Sequence, residues 1–269
     1  MNIGENNIHS TAVVDPDARL GNNISIGAYT IIGPNVTISD NCKIGPHVVI
    51  EGKTTIGSNC QIFQFASVGA APQDLTYKGE ETSVLIGDNS IIRECVTIHR
   101  GTKKGGGVTR IGTNCMIMAY CHVAHDCQIG NGVIMANAAT LGGHVEIGDH
   151  AVIGGLCAIH QFCRIGSYAF MGGMSGTNKD IPPFVKYQGQ RANLFGINVL
   201  GLRRANFPKE IIEALKEAYR IVFVKAQTIT EGLDEADAAF PDIPQVKEFT
   251  DFIRNSKRGV PAGEWKEIT

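Results

Sequence analysis

The chain has 269 residues, of which 43% are hydrophobic and 19% are charged, and its formal net charge at pH 7 is −2. This balance excludes a strongly basic nucleic-acid-binding protein and an acidic disordered tail, so we expect no nucleic-acid partner. Glycine occurs 32 times, about 12% of the chain where roughly 7% is usual, which indicates a fold with many tight turns.

The beginning of the chain and its cysteines predict the compartment. The first residues, MNIGENNIHS, contain neither the basic nor the apolar segment of a signal peptide. No run of about 18 apolar residues follows that would span a membrane. Eight cysteines are too few for a disulfide scaffold. We therefore expect a cytoplasmic protein with no membrane span.

From Ile8 onward, every sixth residue is aliphatic. One run of these hexads extends over residues 8–68, a second over 86–98, and a third, shifted by one residue, over 111–171. A period of six fits neither an α-helix nor a coiled coil, but it fits a parallel β-helix in which three hexads form one triangular coil. The hexads amount to about eight coils stacked about 4.8 Å apart. We expect the aliphatic residue and the small residue four places later to point into the bore.

Two segments interrupt the hexads, at residues 70–84 and 102–110. A solenoid accommodates such insertions as loops that leave one face, and loops on a rigid scaffold often carry function. After Gly176 the period ends, and apolar spacing behind Pro208 and Pro244 predicts helices. The predicted organisation is a β-helix over residues 1–186, followed by a small α-helical domain over residues 187–269.

The segment CHVAHDC offers cysteine and histidine side chains of the kind that bind zinc. The hexad register argues against a zinc site, because it points Cys121 and Cys127 into the bore and leaves His122 and His125 outside. Seven of the eight cysteines occupy this inward position and are interpreted as small core residues. A β-helix metal site of the carbonic-anhydrase type would need a further histidine at 164–166, where none stands. We expect no metal and no cofactor.

His125 and Asp126 favour base catalysis instead. A neutral imidazole takes a proton from a hydroxyl near pH 7, and an adjacent carboxylate can orient it. An 18-residue coil places Gly143 and Gln161 in one column with His125, within about 10 Å along an outer edge. Because glycine lets a substrate approach the main chain, the N–H of Gly143 is a candidate donor to an oxyanion.

The hexads are accompanied by the motifs QDLTYKGE, IHRGT, GGG, AHDC, GGH and IHQF, by Pro182-Pro183 and by the helical tail. Together these features resemble the bacterial UDP-N-acetylglucosamine O-acyltransferases over almost the whole chain. The resemblance implies a left-handed β-helix and a homotrimer with active sites between subunits. It also implies transfer of an (R)-3-hydroxyacyl chain from acyl carrier protein to the 3-position of UDP-N-acetylglucosamine, the first step of lipid A biosynthesis.

The same resemblance implies roles for individual residues. His125 is the general base, Asp126 supports it, and Gly143 supplies the oxyanion donor. Gly173 corresponds to an acyl-chain ruler, where glycine leaves room for a longer chain. The residues implied to hold the sugar nucleotide or the acyl chain are Gln73, Asp74, His122, His144, His160 and Gln161, with Asn198 and Arg204 from the tail.

Two positions depart from the family pattern. Thr76 stands where a lysine is frequent, and Leu200 stands where an acidic residue is frequent. A local excess of positive charge near the domain junction fits either an acidic carrier protein or a solvated surface. It consists of Lys186, Arg191, Arg203 and Arg204.

Other functions compete with this interpretation. A 3-amino UDP-sugar as acceptor would give an amide in place of an ester, and the residues leave this choice and the acyl length open. The later N-acyltransferase of the same pathway carries a further N-terminal domain, whereas the hexads here begin at Ile8. A β-helix metal site and a non-catalytic β-helix scaffold are the alternatives from another class, and the scaffold predicts that His125 is dispensable.

Overall fold

The computed structural model describes residues 5–189 and 193–264. Short parallel strands form three sheets, and within the coils each strand pairs with the strand three places later in the chain. One coil thus contributes one strand to each sheet, and partners such as Ile26 and Ile44 are one coil apart. The hexads form a parallel β-helix, as the sequence predicts.

The three sheets are the sides of a triangular prism. The first sheet comprises Asn7–Ile8, Ser25–Ile26, Lys43–Ile44, Gln61–Ile62, Ile91–Ile92, Met116–Ile117, Ile134–Met135, Val152–Ile153, Phe170–Met171, Val185–Gln188 and Asn193–Ile197. The second comprises Val13–Val14, Ile31–Ile32, Val49–Ile50, Ser67–Ala70, Thr97–His99, His122–Val123, Thr140–Leu141, Ala158–Ile159 and Gly176–Thr177. The third comprises Arg19–Leu20, Thr37–Ile38, Lys53–Ile56, Ser83–Ile86, Val108–Ile111, Gln128–Ile129, Glu146–Ile147 and Arg164–Ile165.

The bore of the prism is filled by the two inward positions of each hexad. Aliphatic residues such as Ile50 and Ile98 are fully buried, and seven of the eight free cysteines are buried beside them. Burial raises the pKa of the Cys121 thiol to about 11. Ile8 is 41% exposed because it belongs to the first coil, which has a neighbour on one side only.

The three edges of the prism differ in chemistry. The edge between the third and first sheets carries asparagines in the left-handed conformation, which we call the asparagine edge: Asn23, Asn41, Asn59, Asn89 and Asn114. The edge between the first and second sheets carries large apolar residues that are more than half exposed, which we call the apolar edge: Tyr29, Phe65, Tyr120, Leu156 and Met174. The edge between the second and third sheets is the loop edge.

Both insertions leave the prism at the loop edge. The first joins Ser67–Ala70 to Ser83–Ile86, and the second joins Thr97–His99 to Val108–Ile111. The coils stay in register across the first insertion, since Val68 pairs with Ile98. Both loops therefore project from one edge of a continuous stack of coils.

The chain after the last coil begins as a strand hairpin and not as a helix. Val185–Gln188 joins the first sheet in parallel, and Asn193–Ile197 returns antiparallel to it. Buried Val185 and Tyr187 alternate with the less buried Lys186 and Gln188, a period of two that favours a strand. This strand spans the boundary predicted between residues 186 and 187, and that division into domains stays a prediction.

Four helices follow the hairpin in the described residues. They are α1 (Val199–Arg204), α2 (Lys209–Arg220), which continues into a π-helical turn at Ile221–Lys225, α3 (Ile229–Ala239) and α4 (Pro244–Arg254). As predicted, α2 follows Pro208 and α4 begins at Pro244. In the described ranges, no helix is long and apolar enough to cross a membrane.

Candidate active site

His125 and Asp126 lie at the loop edge, in the turn after the strand His122–Val123. Asp126 adopts the left-handed conformation with φ 62°, and its backbone N–H donates to Thr109 Oγ1 at 2.8 Å. His125 Nδ1 lies 2.9 Å from Asp126 Oδ2. The Asp126 side chain is fully buried and that of His125 is 14% exposed. This contact fixes the imidazole so that Nε2 is the nitrogen suited to accept a proton.

The Asp126 carboxylate is held by the second loop. The Thr102 N–H donates to Oδ1 at 2.8 Å, and the Thr102 hydroxyl donates to Oδ2 at 2.7 Å. The Thr102 hydroxyl also caps the short turn Lys103–Gly105 by accepting from the Gly105 N–H. A Cβ on Gly105 would collide with the carboxylate, so glycine is what allows the loop to close over it.

Gly143 lies one coil beyond His125, and the imidazole rests against it. A Cβ at Gly143 would stand 2.5 Å from His125 Cε1. The His144 ring meets the His125 ring edge-on, with centroids 5.1 Å apart, and stacks on Phe162 at 4.4 Å. Burial lowers the pKa of His144, which is therefore neutral at pH 7.

A second histidine pair lies on the outer face of the second sheet. The rings of His99 and His122 meet edge-on with centroids 4.9 Å apart, and His122 Nδ1 is 2.7 Å from Thr97 Oγ1. Burial lowers the pKa of His122, and it lowers that of His99 to about 4. Nδ1 of His99 is buried with no hydrogen-bond partner in the described structure.

His99 makes the stability of the protein depend on pH. Its pKa is about 4 in the folded state against 6.5 ordinarily, so the unfolded chain is the first to bind the proton as the pH falls. The free energy of unfolding is therefore expected to decrease from about pH 6.5 to pH 4, by about 3 kcal/mol from this residue.

Urea unfolding of the wild type and His99→Gln across this pH range, at one protein concentration, measures the effect. The curve of stability against pH should be flatter for the variant. Equal pH dependence of the unfolding free energy in the wild type and the variant would contradict the assignment of this effect to His99.

The first loop is tied to the coil below it by Arg100. Its Nη1 donates to the carbonyl oxygen of Gly69 at 2.7 Å, and its Nε donates to the Tyr77 hydroxyl at 3.0 Å. The Tyr77 hydroxyl in turn donates to the Glu80 carbonyl oxygen at 2.8 Å. The loop thus has a fixed path along the edge.

The tip of the first loop carries the residues expected to contact substrate. Asp74 Oδ1 accepts the Thr76 N–H at 2.8 Å, which lowers the pKa of Asp74. Gln73 and Leu75 are exposed, Leu75 completely. The tip therefore combines the Asp74 carboxylate with an apolar side chain directed to solvent.

His160 and Gln161 are exposed at the far end of the loop edge. His160 Nδ1 lies 3.1 Å from the Gln161 carbonyl oxygen and 3.3 Å from Arg258 Nη2. Arg258 also donates through Nε to the Asn178 carbonyl oxygen at 2.8 Å. The segment after α4 thus borders this end of the edge.

One cluster in the described residues has the ligand types and spacing of a metal site. It consists of His125, Asp126 and His144, whose ligand atoms lie within 4.8 Å of one another. Both Asp126 oxygens already accept hydrogen bonds from Thr102. The cluster therefore fits a hydrogen-bonded acid–base pair better than a set of cation ligands. The zinc set of CHVAHDC does not form, because Cys121 and Cys127 lie inside the bore.

Known proteins share this chain's architecture and sequence. Residues 109–143 match the bacterial transferase hexapeptide family, and residues 180–261 match the second domain of the UDP-N-acetylglucosamine O-acyltransferases. An acyl-[acyl-carrier-protein]–UDP-N-acetylglucosamine O-acyltransferase of Aquifex aeolicus is 60% identical over 94% of this chain and 97% of its own. That of Myxococcus xanthus is 51% identical over 94% and 98%. The chain belongs to the UDP-N-acetylglucosamine O-acyltransferase family.

Solved structures agree with this membership. The UDP-N-acetylglucosamine acyltransferase of Campylobacter jejuni superposes with a TM-score of 0.91 at 41% identity, over 96% of this chain and 100% of that one. The protein is an acyltransferase, built as a left-handed parallel β-helix with a small helical region behind it. The fold and reaction class implied by the resemblance are confirmed.

Three of the expected site residues lie on other elements of the fold. Both polar atoms of the Asn198 side-chain amide are hydrogen-bonded within the protein. Oδ1 accepts the Gly201 N–H at 3.1 Å, and Nδ2 donates to the Tyr168 carbonyl oxygen at 3.0 Å. Arg204 is exposed in the last turn of α1. Gly173 is exposed at the apolar edge, a different edge from that of His125.

Sequence reasoning missed Thr102, Thr109 and His99. The hexad register fixes which residues point inward, but it does not show which carboxylate a loop threonine meets. The signal that was available is the position of Thr102 at the first residue of the insertion 102–110. His99 stands directly after the strand residue Ile98, where a register argument expects solvent and not burial.

Proposed function

We propose that the protein transfers an (R)-3-hydroxyacyl chain from acyl carrier protein to the 3-hydroxyl of UDP-N-acetylglucosamine, the first step of lipid A biosynthesis, with His125 as general base. The observation that carries the proposal is the contact of 2.9 Å between His125 Nδ1 and the buried Asp126 carboxylate. It occurs in a chain up to 60% identical to relatives named for this reaction.

The reaction is an acyl transfer by direct attack. Nε2 of His125 takes the proton of the sugar 3-hydroxyl while the hydroxyl oxygen forms a bond to the thioester carbonyl carbon. The Gly143 N–H donates to the oxyanion of the tetrahedral intermediate. Collapse breaks the carbon–sulfur bond, and the leaving thiolate takes the proton from the imidazolium. The Asp126 carboxylate stabilises that imidazolium while it exists.

The remaining expected residues are proposed to bind the substrates. The neutral imidazole of His144 can both donate a hydrogen bond to a sugar hydroxyl and accept one from it. Arg204, which is exposed, suits a diphosphate, whereas Asn198 would have to give up its internal hydrogen bonds. The proposed binding residues at the loop edge are Gln73, Asp74, His122, His144, His160 and Gln161.

We further propose that the active unit is a homotrimer with sites between subunits. The apolar edge exposes large apolar side chains in five of its coils, which is typical of an interface and costly in a monomer. Gly173 lies on that edge and His125 on another, so a second copy must supply one of them if both contact one acyl chain. The fully exposed Leu75 at the tip of the first loop also suits contact with a neighbour.

Gly173→Met is expected to shorten the acyl chain that the protein accepts. A Cβ at Gly173 would have its nearest neighbour 3.4 Å away, at the Gly155 carbonyl oxygen, so a side chain is tolerated by the fold and extends into the space beside the edge. Competition among (R)-3-hydroxyacyl carrier proteins of graded length measures the preference, with Gly173→Ala as the smaller control. An unchanged length preference in Gly173→Met would contradict the ruler assignment.

The carrier protein is proposed to dock on the basic residues near α1. Arg203 and Arg204 are exposed in its last turn, and Lys186 lies on the hairpin strand, while Arg191 lies outside the described residues. Carrier proteins of this kind are acidic, so the charges are complementary. We also propose a cytoplasmic location, which suits eight free cysteines.

The proposal is tested by identifying the product. The purified protein is incubated with UDP-N-acetylglucosamine or its 3-amino analogue and with (R)-3-hydroxyacyl carrier proteins, and the products are weighed by mass spectrometry. An O-acylated UDP-N-acetylglucosamine supports the proposal. If only the 3-amino analogue is acylated, the acceptor is a 3-amino UDP-sugar and not UDP-N-acetylglucosamine. If neither acceptor gives a product, the proposed function is overturned.

A further inference from the structure

We propose that Thr102 is a positioning residue, which fixes the Asp126 carboxylate against His125 and makes the second loop part of the catalytic apparatus. The proposal rests on the proposed function, because Thr102 acts on catalysis only if His125 is the base. Nothing in the resemblance or in the relatives' names assigns a role to this threonine.

The geometry of the contact supports a positioning role. Thr102 donates to both carboxylate oxygens, through its N–H to Oδ1 at 2.8 Å and through its hydroxyl to Oδ2 at 2.7 Å. The hydroxyl therefore reaches the same oxygen that faces His125 Nδ1 at 2.9 Å. At the other end of the loop, Thr109 Oγ1 accepts a hydrogen bond from the Asp126 backbone N–H at 2.8 Å. Side chain and backbone of Asp126 are thus both held by the second loop.

An aspartate needs such partners to keep one orientation. The terminal torsion of an aspartate side chain has a broad, roughly two-fold energy profile, so the carboxylate turns unless donors hold it. A buried carboxylate also requires donors to offset the loss of water. The Asp126 side chain is fully buried, and Thr102 is 4% exposed. Thr102 supplies both the orientation and the replacement for water.

The glycines of the loop allow this contact. A Cβ on Gly105 would overlap the Asp126 carboxyl group, and one on Gly101 would approach Asp126 Oδ1. The loop therefore closes directly over the carboxylate, with Thr102 between these two glycines. The segment GTKKGGG therefore forms a loop that covers the Asp126 side chain of the next coil.

The first experiment compares Thr102→Val with Thr102→Ser. Valine keeps the β-branched shape and the backbone N–H but removes the hydroxyl, whereas serine keeps the hydroxyl. We expect Thr102→Val to lower kcat at least tenfold with KM for UDP-N-acetylglucosamine changed less than about threefold. Thr102→Ser should recover kcat to within about threefold of the wild type. A merely structural threonine would show neither the selective loss in kcat nor the recovery.

Thr113 offers a matched control at the asparagine edge. Its N–H and its hydroxyl both donate to Asn131 Oδ1 of the next coil, at 2.9 and 3.0 Å. Thr113→Val removes the same kind of hydrogen bond away from the histidines and should leave kcat and KM unchanged. Thermal unfolding of all variants shows whether each is folded.

The second experiment asks whether Thr102 acts through Asp126. In an Asp126→Ala background, Thr102→Val should lower kcat by less than about twofold, because the carboxylate to be positioned is gone. Alanine is accepted in this backbone conformation, as Ala138 has φ 60° at the apolar edge. The same tenfold loss in both backgrounds would overturn the proposal. Full activity of Thr102→Val with an inactive His125→Ala would also overturn it, whereas an active His125→Ala would overturn the proposed function itself.

Discussion

His125→Ala is expected to lower kcat by at least a hundredfold while the protein remains folded. General base catalysis contributes a factor of about 10² to 10⁴, and alanine has no group that can accept the proton. The side chain lies at the loop edge, outside the bore, so its loss removes little core packing. Steady-state kinetics, together with thermal unfolding and the oligomeric state in solution, measure both parts of the expectation.

His150 provides a matched control for this prediction. It lies at the asparagine edge against Gly132, much as His125 lies against Gly143, and stacks on Tyr168 at 4.8 Å. His150→Ala removes an imidazole from a turn at the asparagine edge, away from Asp126 and Gly143, and should leave kcat unchanged. Activity of His125→Ala above a few per cent of the wild type would contradict the base assignment and favour the scaffold interpretation.

Gly143→Ala is expected to lower kcat by roughly a hundredfold, comparable to the loss of one oxyanion donor. The new methyl group would stand 2.5 Å from Cε1 and 2.8 Å from Nε2 of His125, so the imidazole has to leave its position. Gly143 is not among the glycines with positive φ, and its backbone accepts alanine without strain. The loss should therefore appear in activity and not in thermal stability, and kinetics with parallel unfolding curves measure both.

Gly33 is the control for the added methyl group. It lies on the same edge near the start of the prism, and the nearest atoms to a Cβ there are 3.5 Å away. Gly33→Ala should retain wild-type kcat. Wild-type activity in Gly143→Ala would show that the imidazole need not rest against residue 143, and it would remove Gly143 from the site.

The hexad period predicted the coils, the bore and the burial of seven cysteines. It could do so because, on every side of every coil, the same two positions of the hexad must point into the bore and be small or aliphatic. The same register placed Gly143 one coil beyond His125, since 18 residues return the chain to the same edge. Position within a hexad is a property of the sequence alone. The contact between the His125 ring and Gly143 follows from it directly.

Contacts made by loops and by the end of the solenoid could not be obtained in this way. The path of the second loop, and with it the bond from Thr102 to Asp126, depends on the conformations of three consecutive glycines. The strand Val185–Gln188 crosses the predicted boundary between residues 186 and 187, because a four-residue alternation is too short to detect beside helical signals. The internal partners of Asn198 come from Tyr168, 30 residues away, which no local pattern indicates.

The position of the bound acceptor sugar is the most direct test of the role proposed for His125. A crystal structure of the wild-type protein with UDP-N-acetylglucosamine should place the sugar 3-hydroxyl within hydrogen-bond distance of His125 Nε2, beside the Gly143 N–H. A nucleotide sugar bound with its 3-hydroxyl out of reach of His125 would contradict the assignment of the loop edge as the site of acyl transfer.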